Sequence, residues 1–182
     1  YPVPGYECKV IDPDTGEELP RGEAGMLAVR GPTGISYWNR PKKQDEARVD
    51  GWSLPGDIYV HREDGRLEYK SREDDLIISS GYNIPGPEVE AVLEEREEVS
   101  EVAVIGAPDE ERGQVVKAYV VVADGAEAGE ELTETLQNHV KNTLAPYKYP
   151  RRVEYVDELP RTETGKIQRV KLRERAREQY EQ

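Results

Sequence analysis

One run constrains this chain more than any other. From Val115 to Val122, Lys117 alone interrupts an otherwise apolar sequence. A strand that is apolar at successive positions has no face to give to water, so it must be buried on both sides. Helical patterns flank it. Val89, Val92, Leu93 and Arg96 follow i, i+3, i+4, i+7 spacing after Pro85-Gly86-Pro87, with Arg96 burying only its stem. Leu132, Leu136, Val140 and Leu144 recur every fourth residue down a second helix, which Pro146 ends. Short strands are expected at Leu76–Ile78, Val102–Ile105 and Val153–Val156, and a charged closing helix at Lys171–Tyr180. The order β-α-β-β-α-β-α makes the second half a small α+β domain.

The first 70 residues follow a different rule. Glu7 to Asp12 alternates into the turn Pro13-Asp14-Thr15-Gly16, and Met26 to Arg30 is a strand bounded by Gly25 and Gly31. Arg40 to Val49 reads as a short helix with Pro41 at its first position. Asp57–Val60 and Arg66–Lys70 flank a hairpin turn at Glu63-Asp64-Gly65. Composition shifts near residues 71 to 75, which marks a domain boundary. The run Glu94 to Glu98 is a solvated helix end.

Charge narrows the function classes. The chain has 182 residues, 35% of them charged, and a formal net charge of −13. Nucleic acid and anionic membrane surfaces would both repel it. The acidity fits either a high-salt cytoplasm or an ordinary acidic cytosolic protein. Cys8 is the single cysteine, which excludes an internal disulfide and a cysteine zinc site, and with only His61 and His139 no metal site is expected. No apolar run spans a bilayer and no leader pattern opens the chain, so a cytoplasmic location is expected. Tyrosine supplies most of the aromatic bulk and phenylalanine is absent, for which we have no physical account.

Three stretches offer chemistry. In Gly51-Trp52-Ser53-Leu54-Pro55-Gly56-Asp57, a glycine-flanked aspartate at a strand start can accept from the paired hydroxyls of a ribose. In Ser71-Arg72-Glu73-Asp74-Asp75, charges crowd a domain junction, where they can exchange partners if domains rotate. The small-residue loop Ser79-Ser80-Gly81 that follows lets a backbone approach a ligand closely. In Leu159–Arg169, Gly165 frees the chain just before Lys166, a point charge able to reach a phosphate or carboxylate. Read singly, each is an ordinary solvated turn or linker. Their order and spacing are not ordinary.

Together these stretches resemble the adenylate-forming superfamily of acyl-CoA synthetases, luciferase and peptide-synthetase adenylation domains. GWSLPGD is similar to its aspartate motif, SREDDLIISSGYNIPGPEVE to its hinge motif and LPRTETGKIQR to its C-terminal lysine motif. PVPGYECKVID and EELPRGEAGMLAVRG fit the end of its large domain. SGYNIPGPEVEAVL, RGQVVKAYVV and LAPYKYPR most resemble benzoate- and 2-aminobenzoate-type CoA ligases.

The resemblance implies that residues 1–73 form the β-rich end of the large domain and residues 74–182 a small mobile lid. It implies ATP-dependent formation of an acyl-adenylate, then transfer of the acyl group to coenzyme A after the lid swings. Asp57 would hold the ribose hydroxyls and Arg72 would also reach the nucleotide. Asp74 would be the hinge. Lys166 would stabilise charge at the acyl carboxylate and α-phosphate, and Ser79, Ser80 and Gly81 would line the pantetheine tunnel. The Mg2+ that accompanies ATP would be held mainly by parts outside this sequence.

Three positions depart from the family pattern: Ser71 for glycine, Pro55 for threonine, and Asn83 where many members carry arginine or lysine. The family's phosphate loop and acid pocket are absent from these residues. The expectation is a C-terminal fragment, inactive alone, of a ligase for an aromatic acid. Alternatives are a fatty acyl-CoA synthetase, an amino-acid adenylation domain, or a non-catalytic acidic module that binds a partner or coenzyme A.

Overall fold

A computed structural model describes residues 1–34 and 36–180. The chain is a mixed α and β structure that divides into two compact units, Tyr1–Asp74 and Asp75–Gln182.

The first unit is an antiparallel sheet with one short helix. Strand β1 (Glu7–Ile11) pairs with β2 (Ala24–Arg30), and the remaining order is β3-β4-β2-β5-β6, with β3 at Arg48–Val49, β4 at Trp52–Ser53, β5 at Asp57–His61 and β6 at Leu67–Arg72. The turn after β1 forms because the Asp12 carboxylate accepts the N–H groups of Asp14 (2.9 Å) and Thr15 (2.8 Å). Ile11, Met26 and Ala28 form one buried cluster, packed by Trp52 and Leu54, and Val10, Leu27, Ile58 and Val60 are buried as well. Strand β2 begins earlier than the sequence suggests and runs through Gly25. A Cβ there would lie 2.5 Å from the Ile11 carbonyl oxygen, so only glycine lets the chains close up. Helix α1 (Pro41–Glu46) starts at proline as expected but stops early, because Arg48–Val49 is drawn into pairing with β4.

The second unit is built around β10 (Gly113–Val122), antiparallel to β9 (Val99–Asp109) and parallel to β11 (Arg152–Tyr155). Val116, Ala118 and Val120 face helices α2 (Gly86–Leu93) and α3 (Glu130–Thr143), with Leu93, Leu136 and Val140 fully buried opposite. Val115 and Tyr119 face the other way, toward Leu172 and Ala176 of α4 (Arg169–Tyr180). Burial on both faces is thus observed. Strand β7 (Leu76–Ser79) forms a hairpin with β8 (Tyr82–Pro85), a strand that periodicity did not reveal. Its two-residue turn has φ of +49° at Ser80 and +81° at Gly81, the paired left-handed geometry that suits a tight hairpin. Serine in place of asparagine or aspartate hid the signal. Arg96 lies past the end of α2 and pairs with Glu98 rather than extending the helix. Among the described residues no helix is long and apolar enough to cross a membrane.

Lys117 sits inside the second core. Its ammonium donates to Glu154 Oε2 at 2.7 Å and Gln179 Oε1 at 2.6 Å, and lies over the Tyr119 ring. Arg175 pairs with the same glutamate. Burial pushes the Glu154 carboxyl up, but the hydrogen bonds from Lys117 and Gln179 and the charges of Lys117 and Arg175 outweigh it. The net shift is below the ordinary value of 4.5. A depressed folded value contributes stability that is present above the unfolded value and is lost as pH falls through the folded one. Stability of the chain is therefore expected to drop below about pH 4.5, and Glu154→Gln should flatten that acid limb in urea unfolding followed against pH.

Ser71 is fully buried and its hydroxyl has no hydrogen-bond partner among the described residues. An orphaned buried hydroxyl is a cost, not a tie. Ser71→Ala is expected to leave stability unchanged or raise it by about 1 kcal/mol. A loss of stability in urea unfolding would mean that the hydroxyl is bonded.

Candidate functional site

In the first unit, β5 and β6 bring Asp57 and Arg72 together. They are register partners across the hairpin, and Arg72 Nη1 lies 2.6 Å from Asp57 Oδ1. The pair holds because the preceding residue, Gly56, turns the chain at φ +74° and its carbonyl accepts the Glu73 N–H at 2.9 Å. Asp57 is half-buried and Arg72 exposed. Arg72 lines a cleft of about 890 Å³ whose walls include Lys9, Asp14, Lys43, Trp52 and Asp74. Lys9 and Arg30 each lie 4.6 Å from the Trp52 ring centroid, so the indole of the aspartate motif is pinned by cations. The arrangement presents one carboxylate and one guanidinium at a concave, polar surface. Asp74 is exposed, within a 3-10 turn at Glu73–Asp75, and ends the first unit.

In the second unit, Ser79 is buried at the end of β7, while Ser80 and Gly81 form the exposed hairpin turn. Arg112 clamps this turn. Its carbonyl accepts the Ser80 N–H and its guanidinium donates to Ser80 Oγ, both at 3.1 Å. These bonds hold a serine in a backbone conformation that side chains disfavour.

Lys166 is carried by a small hairpin, not a loose loop. The Gln168 N–H donates to the Pro160 carbonyl at 2.7 Å, Arg161 bridges Ile167, and the Thr162 N–H donates to the Lys166 carbonyl at 2.8 Å. Thr162 Oγ1 accepts the Lys166 N–H at 3.1 Å. Gly165, at φ +83°, makes the reversal, and Arg161 donates to its carbonyl at 2.7 Å. Leu159 on one leg is buried in the second core and Ile167 on the other packs against it. With its neighbour Ile167 turned inward, Lys166 stands exposed. The stretch is polar, but its two apolar residues are anchors.

Sequence reasoning overlooked Arg112, Asp75 and Glu90. Glu90 had a signal, since it lies three residues before Leu93, on the apolar side of α2. Its carboxylate accepts the Val104 N–H at 2.7 Å and two nitrogens of Arg169. Asp75 accepts from Arg173 at 3.3 Å. Among the described residues no cluster of three or more His, Cys, Asp or Glu side chains is arranged to hold a metal ion.

Residues 88–166 match the model of the AMP-binding enzyme C-terminal domain. The benzoate–CoA ligase of Thauera aromatica is 46% identical over 173 residues, covering 94% of this chain and 33% of that protein. The long-chain-fatty-acid–CoA ligase of Salmonella typhimurium is 42% identical over 177 residues, covering 97% of this chain and 31% of that protein. The crystal structure of the anthranilate CoA ligase AuaEII in complex with anthranoyl-AMP superposes with a TM-score of 0.88 at 37% identity, covering 100% of this chain and 35% of that one. The chain thus spans about a third of the length of the relatives it matches. The motifs, the fold and these likenesses agree: the chain belongs to the adenylate-forming superfamily of AMP-binding synthetases and ligases, and carries that family's C-terminal domain.

Proposed function

We propose that these residues serve an AMP-forming acid–CoA ligase. A carboxylate oxygen attacks the α-phosphorus of ATP, pyrophosphate leaves, and an acyl-adenylate forms. The thiol of coenzyme A then attacks the acyl carbon, loses its proton, and expels AMP. The observation that carries this reading is the Lys166 hairpin. It is an exposed cation on a rigidly braced tip, the form a residue takes when it must deliver charge to a ligand outside its own domain.

In this reading, residues 1–73 end the large domain and residues 74–182 are the lid, with Asp74 as the hinge between them. Lys166 neutralises charge building between the carboxylate and the α-phosphate. It is no nucleophile, and on a mobile lid it can be withdrawn for the second step. Asp57 accepts from the ribose hydroxyls, and Arg72, already bonded to Asp57, orients that carboxylate and reaches the nucleotide. Ser79, Ser80 and Gly81 line the path of the pantetheine arm, where small side chains and a braced turn leave room. Magnesium accompanies ATP as an electrostatic partner of its phosphates, held mainly by residues other than these. The location is cytoplasmic.

The acid is aromatic, of benzoate or 2-aminobenzoate type. Support comes from the likeness to a benzoate ligase and to an anthranilate ligase. The fatty-acid ligase among the relatives supports a second reading, a long-chain acid on the same machinery.

The test is carboxylate-dependent ATP–pyrophosphate exchange by the complete ligase that contains this chain, across benzoate, 2-aminobenzoate, a medium-chain fatty acid and an amino acid. Exchange with an aromatic acid is expected, and Lys166→Ala should cut it by roughly 10²- to 10³-fold, the usual cost of one preorganised charge-stabilising group. Exchange with the fatty acid alone would replace the aromatic reading and keep the mechanism. Unchanged exchange in the lysine variant would remove Lys166 from the chemistry. The 182 residues alone are expected to form no adenylate, since the phosphate loop lies outside them; acyl-AMP detected by mass spectrometry from the purified chain would contradict this.

A further inference from the structure

Helix α4 begins where the Lys166 hairpin ends, yet it is a poor helix to build on. Only Leu172 and Ala176 are buried, and most of the remaining positions are charged. Apolar packing this narrow does not fix a helix in rotation or along its axis. Arginines do so instead. Arg169, in the first turn and three residues after Lys166, is held by the Glu90 carboxylate, at 2.9 and 2.7 Å from its Nη2 and 3.2 Å from its Nε. Glu90 is itself fixed, being buried and accepting the Val104 N–H of β9 at 2.7 Å. Arg173, four residues on and so on the same face, pairs with Asp75 at 3.3 Å, and the Asp75 side chain is only 14% exposed. The other leg of the hairpin is tied as well, since Arg161 pairs with Glu101 of β9 at 2.9 Å.

These contacts join two places that the sequence separates by about ninety residues. Asp75 is the first residue of the second unit, directly after Asp74. Arg173 lies one helical turn from Arg169, and Arg169 closes the hairpin that presents Lys166. We propose that Glu90 and Asp75 are positioning residues for Lys166: through Arg169 and Arg173 they lock the hairpin and α4 onto the segment that leaves the hinge, so that any rotation about Asp74 carries the lysine as part of one rigid body. This rests on the reading of Lys166 and Asp74 given above. The physical reason for charge rather than apolar packing is directional. A buried bidentate pair sets both distance and angle, whereas aliphatic contacts tolerate sliding by a rotamer. A lysine that must meet a phosphate needs the tighter setting, because a displacement of about 1 Å can cost two orders of magnitude in rate.

The experiment separates the two half-reactions in the complete ligase. Glu90→Gln keeps the acceptor for Val104 and removes the charge, and Arg173→Met keeps the aliphatic stem and removes the pair. Each is expected to lower kcat for ATP–pyrophosphate exchange by roughly 10- to 100-fold with KM for ATP unchanged. Turnover of preformed acyl-adenylate with coenzyme A should stay within about twofold of wild type, since that step does not use Lys166. Hydrogen exchange should quicken at the Lys166 amide, which is bonded to Thr162. Lys166→Ala runs alongside. If that variant loses exchange while Glu90→Gln and Arg173→Met keep it, the positioning role is overturned and the lysine's role stands. Equal losses in both half-reactions would also overturn it, since general destabilisation would then explain the variants. If Lys166→Ala keeps full exchange, the reading of the lysine fails and the positioning role falls with it.

Discussion

Burial of β10 on both faces is the condition on which the second unit depends. Val116, Ala118 and Val120 on one side and Val115 and Tyr119 on the other are each at most 2% exposed. One strand therefore belongs to two cores, and the sheet must be covered by α2 and α3 on one face and α4 on the other. In the second unit, the candidate residues hang from this sheet and its covers. The Ser80 turn is braced by the β9–β10 connection through Arg112, and the Lys166 hairpin is anchored in the α4-side core by Leu159 and Ile167.

The two faces are finished differently. The α2–α3 face is almost wholly aliphatic, with a glutamate at its edge. The α4 face is smaller and includes Lys117, so its helix is held by polar contacts: Lys117 with Glu154 and Gln179, Arg175 with Glu154, Tyr119 with the Leu172 carbonyl, and Arg173 with Asp75. Removing one partner of a buried pair leaves an uncompensated charge, which costs more than the intact pair contributes. Such a face is sensitive to acid and exact in angle, whereas the aliphatic face is tolerant. A protein carrying a formal charge of −13 thus uses its few interior cations where direction matters.

The first unit works on a smaller scale. Its core is slight, and its candidate chemistry rests on one hairpin end where Asp57 and Arg72 face each other in register. Preorganisation there comes from backbone turns at Gly56 and Glu73 rather than from bulk packing. An aspartate already engaged by a guanidinium presents a fixed lone-pair direction, which is what selective acceptance from two hydroxyls requires.

Much of this was legible in the chain itself. Period-four spacing located α3, the doubly apolar run located β10, and Pro/Asp/Gly clusters located the turns after β1 and β5, because these signals depend on neighbours within a few residues. The three motif stretches marked Asp57, Arg72, Asp74, Ser79–Gly81 and Lys166 as the places to look. Strand β8 was not legible, since its turn uses a serine at positive φ that only its partner Arg112 makes tolerable. Nor was Gly25 within β2, which is set by the approach of Ile11. The pairing of Glu90 with Arg169 and of Asp75 with Arg173 was also beyond local reading. Sequence spacing says which face a residue occupies; which charge waits opposite it, 79 or 98 residues away, is decided only when the sheet and helices pack.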